Sequence, residues 1–379
     1  MTITAKIDVK DKDILGSLRS FFKDLLETDD IQSLLVPQHL PMKDMVMPTL
    51  VTDPSQLDGV DPLAPAFAMN AAKIVARLTR KPMGAKVAVV LRPCEIRSFV
   101  ELVKLKQGRT DEVILIGMDC LGALQNKDYF QLVEQKAAES TVVFYESVLG
   151  GKSTETGGFD LAPACKACEY PVAENADILI GLYGMDVDHS LLVQSQTEAG
   201  DHILKQMNIS ETDEPRARQD AIKAVIKQRT QYRDDMFART REATDSLEKI
   251  SAYFATCVNC YNCRVACPVC YCKECVFVTD VFNHDPSQYL QWANRKGIIK
   301  MPTDTLFYHI TRLAHMSTAC VGCGQCSNAC PNDIPVMELF RTIAHETQQA
   351  FEYEAGKSFE EEPPLSVFRE DEFTEVVGI

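Results

Sequence analysis

Two stretches of this chain space their cysteines as iron–sulfur chemistry requires. Cys257, Cys260, Cys263 and Cys267-Pro268 follow C-x2-C-x2-C-x3-C-P, and Cys320, Cys323, Cys326 and Cys330-Pro331 repeat it. Three thiolates in one tight loop take three corners of a 4Fe–4S cubane, and the fourth, held before proline, serves the other cluster of a pair. The expected ligand sets are Cys257, Cys260 and Cys263 with Cys330, and Cys320, Cys323 and Cys326 with Cys267. Cys270, Cys272 and Cys275 crowd the first motif. They read equally as spare thiols, a further metal site or substitutes in this pairing.

Four more cysteines, Cys94, Cys120, Cys165 and Cys168, lie outside both motifs. Lys86–Leu91 and Val113–Met118 are continuous apolar, β-branched runs, as expected of strands buried on both faces. Residues 95–106 between them have helical periodicity, which implies a parallel pair with a right-handed crossover. Cys94 and Cys120 then fall at the carboxyl ends of parallel strands, the edge where α/β proteins bind ligands. Cys165-Lys166-Ala167-Cys168 precedes another strand, expected at 176–181, and reaches the same edge; a further strand is expected at 141–145. Four thiolates in one place suit a cubane or a tetrahedral zinc. Two other clusters in need of an electron source favour iron. The plainer alternative is two inert buried cysteines and a separate C-x2-C pair.

The elements that must position these groups are partly readable. Leu15, Leu18, Phe21, Phe22, Leu25 and Leu26 recur at helical spacing, and Pro37, Pro41 and Pro48 are expected to interrupt regular structure. Pro62 and Pro65 precede a helix that starts near Asn70. Residues 213–255 are rich in Lys, Arg, Asp, Glu and Gln and read as solvated connecting helices. A long insert, 276–319, separates the motifs, and a helix covers about 335–352. His309, His315 and His345, on helical stretches, read as structural. The expected division is an α/β domain at 1–210, a helical linker at 211–250, a ferredoxin-like domain at 251–350 and an acidic tail at 351–379. The tail, with Glu360-Glu361-Glu362 and Glu370-Asp371-Glu372, is expected to be a solvated arm.

Bulk properties narrow the function. A net charge of −15 over 379 residues argues against nucleic acid or an anionic membrane surface as partner. There is no bilayer-length apolar run and no signal-peptide pattern, so a cytoplasmic, soluble protein is expected. In that reducing compartment, 15 cysteines point to metal ligation over disulfides. No phosphate-binding G-x-x-x-x-G-K-[ST], no G-x-G-x-x-G after a strand and no catalytic triad is present. Arg92, Arg97, Lys104 and Lys106 are candidates for holding an anionic cofactor.

Arg92-Pro93-Cys94-Glu95-Ile96-Arg97, Asp119-Cys120, Cys165 and Cys168, and Ala176-Asp177-Ile178-Leu179-Ile180-Gly181 together resemble the beta subunits of coenzyme F420-dependent hydrogenase and formate dehydrogenase. Pro62-Leu63-Ala64-Pro65 with Asn70-Ala71-Ala72, and Cys320 to Cys326 with Ile334-Pro335, make the formate dehydrogenase type the closer likeness. The resemblance implies an FAD at the carboxyl edge of a partly parallel α/β domain, beside one 4Fe–4S cluster, with two ferredoxin-type clusters leading to a partner. Asn70, Lys73, Arg92, Arg97, Gly181, Tyr183 and Gly184 are its implied flavin contacts, and F420 or a similar carrier its hydride partner. Implied protein partners are a catalytic formate dehydrogenase or hydrogenase subunit and a heterodisulfide-reductase-like complex. The chain departs from the family at Ala66-Phe67-Ala68-Met69, where compact members carry a Gly-rich turn. The alternative is an electron-transfer adaptor with no substrate of its own.

Overall fold

The computed structural model describes residues 3–41, 45–136, 139–151, 154–299 and 304–366. Seven strands form one sheet: β1 (Thr4–Asp8), β2 (Ile31–His39), β3 (Val46–Val51), β4 (Lys86–Leu91), β5 (Val113–Met118), β6 (Ile178–Gly181) and β7 (Ser190–Ser195). Their order is β1-β7-β6-β5-β4-β2-β3. The central four, β2, β4, β5 and β6, are parallel, and β1, β7 and β3 run antiparallel to their neighbours.

Alternation along the central strands sends Ala88, Val90, Ile114, Ile116, Ile178 and Ile180 to one face and Val87, Val89, Leu91, Val113, Leu115 and Leu179 to the other. The first face is covered by α1 (Ile14–Leu26), with α5 (Ser140–Leu149) and α7 (Glu198–Gln206). The second is covered by α2 (Ala72–Leu78) and α3 (Pro93–Lys104). With both faces dry, these strands read as unbroken apolar runs. α4 (Asn126–Lys136) and α6 (Pro163–Lys166) lie in the long connection from β5 to β6.

After the sheet come α8 (Ala217–Thr244) and α9 (Leu247–Tyr253). The cysteine-rich part holds α10 (Asn262–Ala266), α11 (Pro286–Lys296), α12 (Thr305–Met316), α13 (Gln325–Asn328) and α14 (Val336–Ala350). Its own core gathers Phe254, Val269, Met316, Ile334, Leu339 and Phe340. Among the described residues no helix is long and apolar enough to cross a membrane.

The structure corrects four expectations. Residues 141–145 are not a strand but lie in α5, where Phe144 and Tyr145 pack on the sheet with the rest of that layer. Pro37 and Pro48 do not interrupt structure; they pair with each other across β2 and β3. β2 pairs with β4 only as far as Leu35, so Pro37 removes no ladder hydrogen bond there. α8 is more than a solvated connector, since Arg218, Arg229, Met236, Phe237 and Thr240 are buried along it. The beginning of the tail packs down: Tyr353 and Ala355 are buried, Arg97 donates to the Ala355 carbonyl at 2.6 Å, and Gly356 N–H donates to Glu101 at 2.7 Å. Glu360-Glu361-Glu362 is described, whereas Glu370-Asp371-Glu372 lies outside the described residues.

Candidate metal centres

Twelve cysteines gather in three groups. The first is built at the carboxyl edge of the sheet. Pro93 opens α3, which makes Cys94 its second residue. Glu95 fixes that helix end by accepting from the backbone N–H of Arg92 at 2.9 Å and of Ala71 at 2.8 Å, which ties α3 to the start of α2. Cys120 follows β5, and its N–H donates to the Pro171 carbonyl at 2.7 Å. Cys165 sits in α6 and accepts from Ala123 N–H at 3.3 Å. Burial pushes the Cys165 thiol up to about 12, and the neighbouring Cys120 and Cys168 push the same way. Burial also raises the Cys94 thiol well above its ordinary value, with Glu95, Cys120, Cys323 and Cys168 adding to it. These are desolvated thiols within electrostatic reach of one another, which lose their protons on binding metal.

The second group is Cys320, Cys323 and Cys326 with Cys267. Burial raises all three motif thiols, and Cys267 is the largest charge acting on each. The third group is Cys257, Cys260, Cys263 and Cys330, which line one cavity. Each motif's last cysteine thus stands with the other motif's first three. Cys330→Ser is therefore expected to abolish the cluster of the 257–263 loop and spare that of the 320–326 loop. EPR of the reduced variant, compared with Cys267→Ser, checks which signal disappears.

The two loops share a backbone. Asn259 and Tyr261 have φ of 49° and 59°, and Gly322 and Gly324 have 71° and 80° at the same places between cysteines. Only the second loop needs glycine. A Cβ at Gly322 would run into the Arg341 side chain and one at Gly324 into Ala164 of α6. The second loop is thus pressed against the sheet domain while the first faces outward. Gln325 and Asn328 donate to the Phe67 carbonyl at 2.8 and 3.1 Å, and Lys73 donates to the Val265 carbonyl at 2.9 Å.

This docking sets the order of the sites. Cys323 acts on Cys94 and is reached by the Asn70 side chain. The middle group therefore adjoins the sheet-edge group on one side. Arg312 acts on Cys263, Cys267 and Cys326 together, which puts the middle group next to the outer one as well. Cys270 lies by Cys267 and Lys73, Cys275 packs near Cys263 and Phe277, and Cys272 is exposed.

An arginine with a buried guanidinium nitrogen accompanies each group. Arg92 acts on Cys120, Arg341 on Cys320 and Arg312 on Cys263. Arg92 Nη1, Arg341 Nη1 and Arg312 Nε are buried with no acceptor among the described residues. Unpaired buried donors of this kind fit an anionic cluster with acceptor sulfurs. Arg229, on α8, donates to the Cys120 carbonyl at 3.1 Å, and the Tyr183 hydroxyl donates to the same oxygen at 2.7 Å. Among the described residues no three His, Cys, Asp or Glu side chains are placed to hold a single ion.

The seven residues expected at a flavin do not share a pocket. Asn70 accepts from Ala72 N–H at 3.0 Å, Lys73 is committed to the second domain, and Arg92 donates to the Ala64 carbonyl at 2.9 Å with its guanidinium over Phe67. Arg97 lies 3.5 Å over the Tyr170 ring and binds the tail. Lys104, a further candidate phosphate partner, is buried against Glu101 at 2.8 Å. Gly181 and Gly184 do make room, but for Arg218: a Cβ on either would strike its guanidinium or backbone. The Phe67 segment, where the chain departs from the family it resembles, is covered by the second cysteine loop. A cavity of about 700 Å³ does open beside Tyr183, Gly184 and Arg229. Glu146, Asp186 and Asp188 line it too, and Arg229 is already engaged, so its charge opposes a pyrophosphate.

Sequence reasoning missed Arg218, Arg229, Arg312 and Arg341. The first two are hidden in a charged helix, although 218, 229, 236 and 240 are spaced by 11, 7 and 4 residues and so fall on one helical stripe.

Two family models match parts of the chain. Residues 84–218 match the C terminus of the beta subunit of coenzyme F420 hydrogenase/dehydrogenase, and residues 315–336 match the 4Fe-4S binding domain. The F420-dependent formate dehydrogenase subunit beta of Methanocaldococcus jannaschii is 26% identical over 366 residues, which cover 90% of this chain and 91% of the relative. The F420-dependent formate dehydrogenase 1 subunit beta of Methanococcus maripaludis is 26% identical over 381 residues, 92% of each chain. A chain of the F420-reducing [NiFe] hydrogenase complex from Methanosarcina barkeri superposes with a TM-score of 0.46 at 18% identity, covering 65% of this chain and 94% of that one.

Proposed function

Since residues 84–218 match the C terminus of the coenzyme F420 hydrogenase/dehydrogenase beta subunit, we propose that this chain is an oxidoreductase subunit of that kind that carries electrons through three 4Fe–4S clusters in series. The observation that supports this reading is the contiguity of three four-cysteine groups, the middle one adjoining both others. Each cluster, when bound, takes up and releases single electrons. The chain's own residues supply a dry setting, fixed thiol positions and buried cations that offset the charge. Cys94, Cys120, Cys165 and Cys168 hold the inner cluster, Cys320, Cys323, Cys326 and Cys267 the middle one, and Cys257, Cys260, Cys263 and Cys330 the outer one.

The relatives are F420-dependent formate dehydrogenase subunits. By that likeness the electrons of this chain come from, or go to, a catalytic formate dehydrogenase or hydrogenase subunit. Among the residues expected to hold FAD, Asn70, Lys73 and Arg97 are engaged within the protein, while Tyr183 and Gly184 line a cavity that also holds Glu146, Asp186 and Asp188, which favours a reading without a hydride step. The reading is of an adaptor with no substrate of its own, and a heterodisulfide-reductase-like complex is a suitable second partner. Anaerobically purified protein is expected to carry about twelve iron atoms per chain and no stoichiometric flavin. One FAD per chain would restore direct exchange with F420 or a similar carrier. Zinc without iron would overturn the whole reading.

A further inference from the structure

The insert between the two cysteine motifs has a component that neither motif explains. Its helix α12 turns Tyr308, Arg312 and Met316 inward, at i, i+4 and i+8. Arg312 is 4% exposed. Its Nη1 donates to Cys263 Sγ at 3.1 Å and its Nη2 to the Cys263 carbonyl at 3.2 Å. The guanidinium lies 4.7 Å from the Phe340 ring centre and 5.6 Å from that of Tyr308. Among the described residues no carboxylate pairs with it, and its Nε has no acceptor.

A permanently charged group left unpaired in so dry a place is strongly destabilising unless an anion faces it. The groups within reach that become anionic on binding metal are thiols of two different groups, Cys263 on the outer side and Cys267 and Cys326 on the middle side. Arg341 also faces thiols of two groups, Cys168 and Cys320, but it is paired with Glu169. Arg218 pairs with Asp119, and Arg229, without a carboxylate partner among the described residues, faces thiols of the inner group alone.

We propose that Arg312 is the shared counter-cation of the outer and middle clusters, a positioning residue that raises both reduction potentials together and so keeps electron passage between them close to level. This rests on the reading that both loops hold clusters. A cation stabilises the reduced, more negative form of each cluster, so removing it must shift both potentials downward. Hydrogen bonds to cluster sulfurs act in the same direction.

The test is a potentiometric EPR titration of the iron-loaded full chain, with iron counted in each sample. Arg312→Gln is expected to reduce the reduced-to-oxidised ratio of both clusters at least tenfold at fixed potential, which is about 59 mV for a one-electron couple. Arg312→Lys is expected to recover most of that shift, while the inner cluster stays put in both variants. Full iron with unmoved potentials in Arg312→Gln would overturn the inference and leave the three-cluster reading standing. Wild-type protein without iron would instead sink that reading. Should Gln fail to load iron, Arg312→Met fills the same slot between the rings without charge. Neutral variants that fail to load where Lys loads show that the charge itself is needed. Lys behaving like Gln and Met overturns the assignment.

Discussion

Replacing Cys165 by Ser is expected to lower iron from about twelve to about eight atoms per chain and to leave the EPR signals of the two ferredoxin-type loops intact. Serine retains the hydrogen bond from Ala123 N–H that now ends on the thiol, so α6 keeps its place. What it loses is a soft ligand that iron strongly prefers. The site is recessed: burial raises the thiols of Cys94, Cys120 and Cys165 alike, and Cys323 of the middle group lies on its flank. No other cysteine is near enough to substitute, because Cys323 is committed to its own loop. Electron delivery to the outer cluster from a donor at the sheet edge is then expected to fall by orders of magnitude. Delivery from a small reductant such as dithionite, which reaches the exposed Cys260 directly, is expected to be unchanged. Unchanged iron in Cys165→Ser would remove the inner cluster.

The difference between loop cysteines and sheet-edge cysteines also explains what the sequence can reveal. A loop that wraps a cluster fixes its ligands by local spacing, so Cys257 to Cys267 and Cys320 to Cys330 are legible as residue types and intervals alone. The inner group is not local. It is reachable only through topology: two apolar runs with a helix between them imply parallel strands, and parallel strands bring Cys94 and Cys120 to one edge. Local pattern misleads where tertiary context overrides it. The run at 141–145 is β-branched and aromatic, yet Phe144 and Tyr145 face the sheet from a helix. Pro37 hides β2, and it is harmless only because β4 has ended its pairing at Leu35. α8 is polar in composition because just a narrow stripe of it is buried. Nothing in its sequence says that the stripe ends on Asp119 and on the Cys120 carbonyl.

The cations follow the same rule. Arg92 is visible in the sequence because it adjoins Cys94, but its position alone suggests a phosphate as partner. In the folded chain it acts on Cys120 and covers Phe67. Arg97 and Lys104 read as candidates for holding an anionic cofactor, and both instead anchor the returning tail through Ala355 and Tyr353. A buried arginine announces an anion but not which one. Only the placement of the cysteine loops separates cluster from carboxylate.

Asp119→Ala is expected to have the largest effect on stability of any single change outside the cysteines. Asp119 and Arg218 form a fork at 2.6 and 3.0 Å, with both side chains almost fully buried. The same carboxylate accepts from the N–H groups of Leu182 and Tyr183 at 2.7 and 3.0 Å. Truncating it strands a guanidinium and two amide donors away from water, a loss of about 3–5 kcal/mol for the ion pair alone, against a total stability of about 5–15 kcal/mol for a typical domain. The pair also closes the turn after β6, where Gly184 at φ 71° lets the Arg218 backbone approach. That turn carries Tyr183, whose hydroxyl holds the Cys120 carbonyl. The loss should therefore reach the inner site as well, and Asp119→Ala is expected to load iron poorly there even where it folds. Urea unfolding of apoprotein separates the two effects. A double variant, Asp119→Leu with Arg218→Met, removes both charges and is expected to recover much of the stability, because a buried pair is often no better than well-packed apolar groups. A drop below about 1 kcal/mol for Asp119→Ala, well short of the cost of an uncompensated buried charge, or a double variant no more stable than the single, would show that the fork is not what holds this edge of the sheet together.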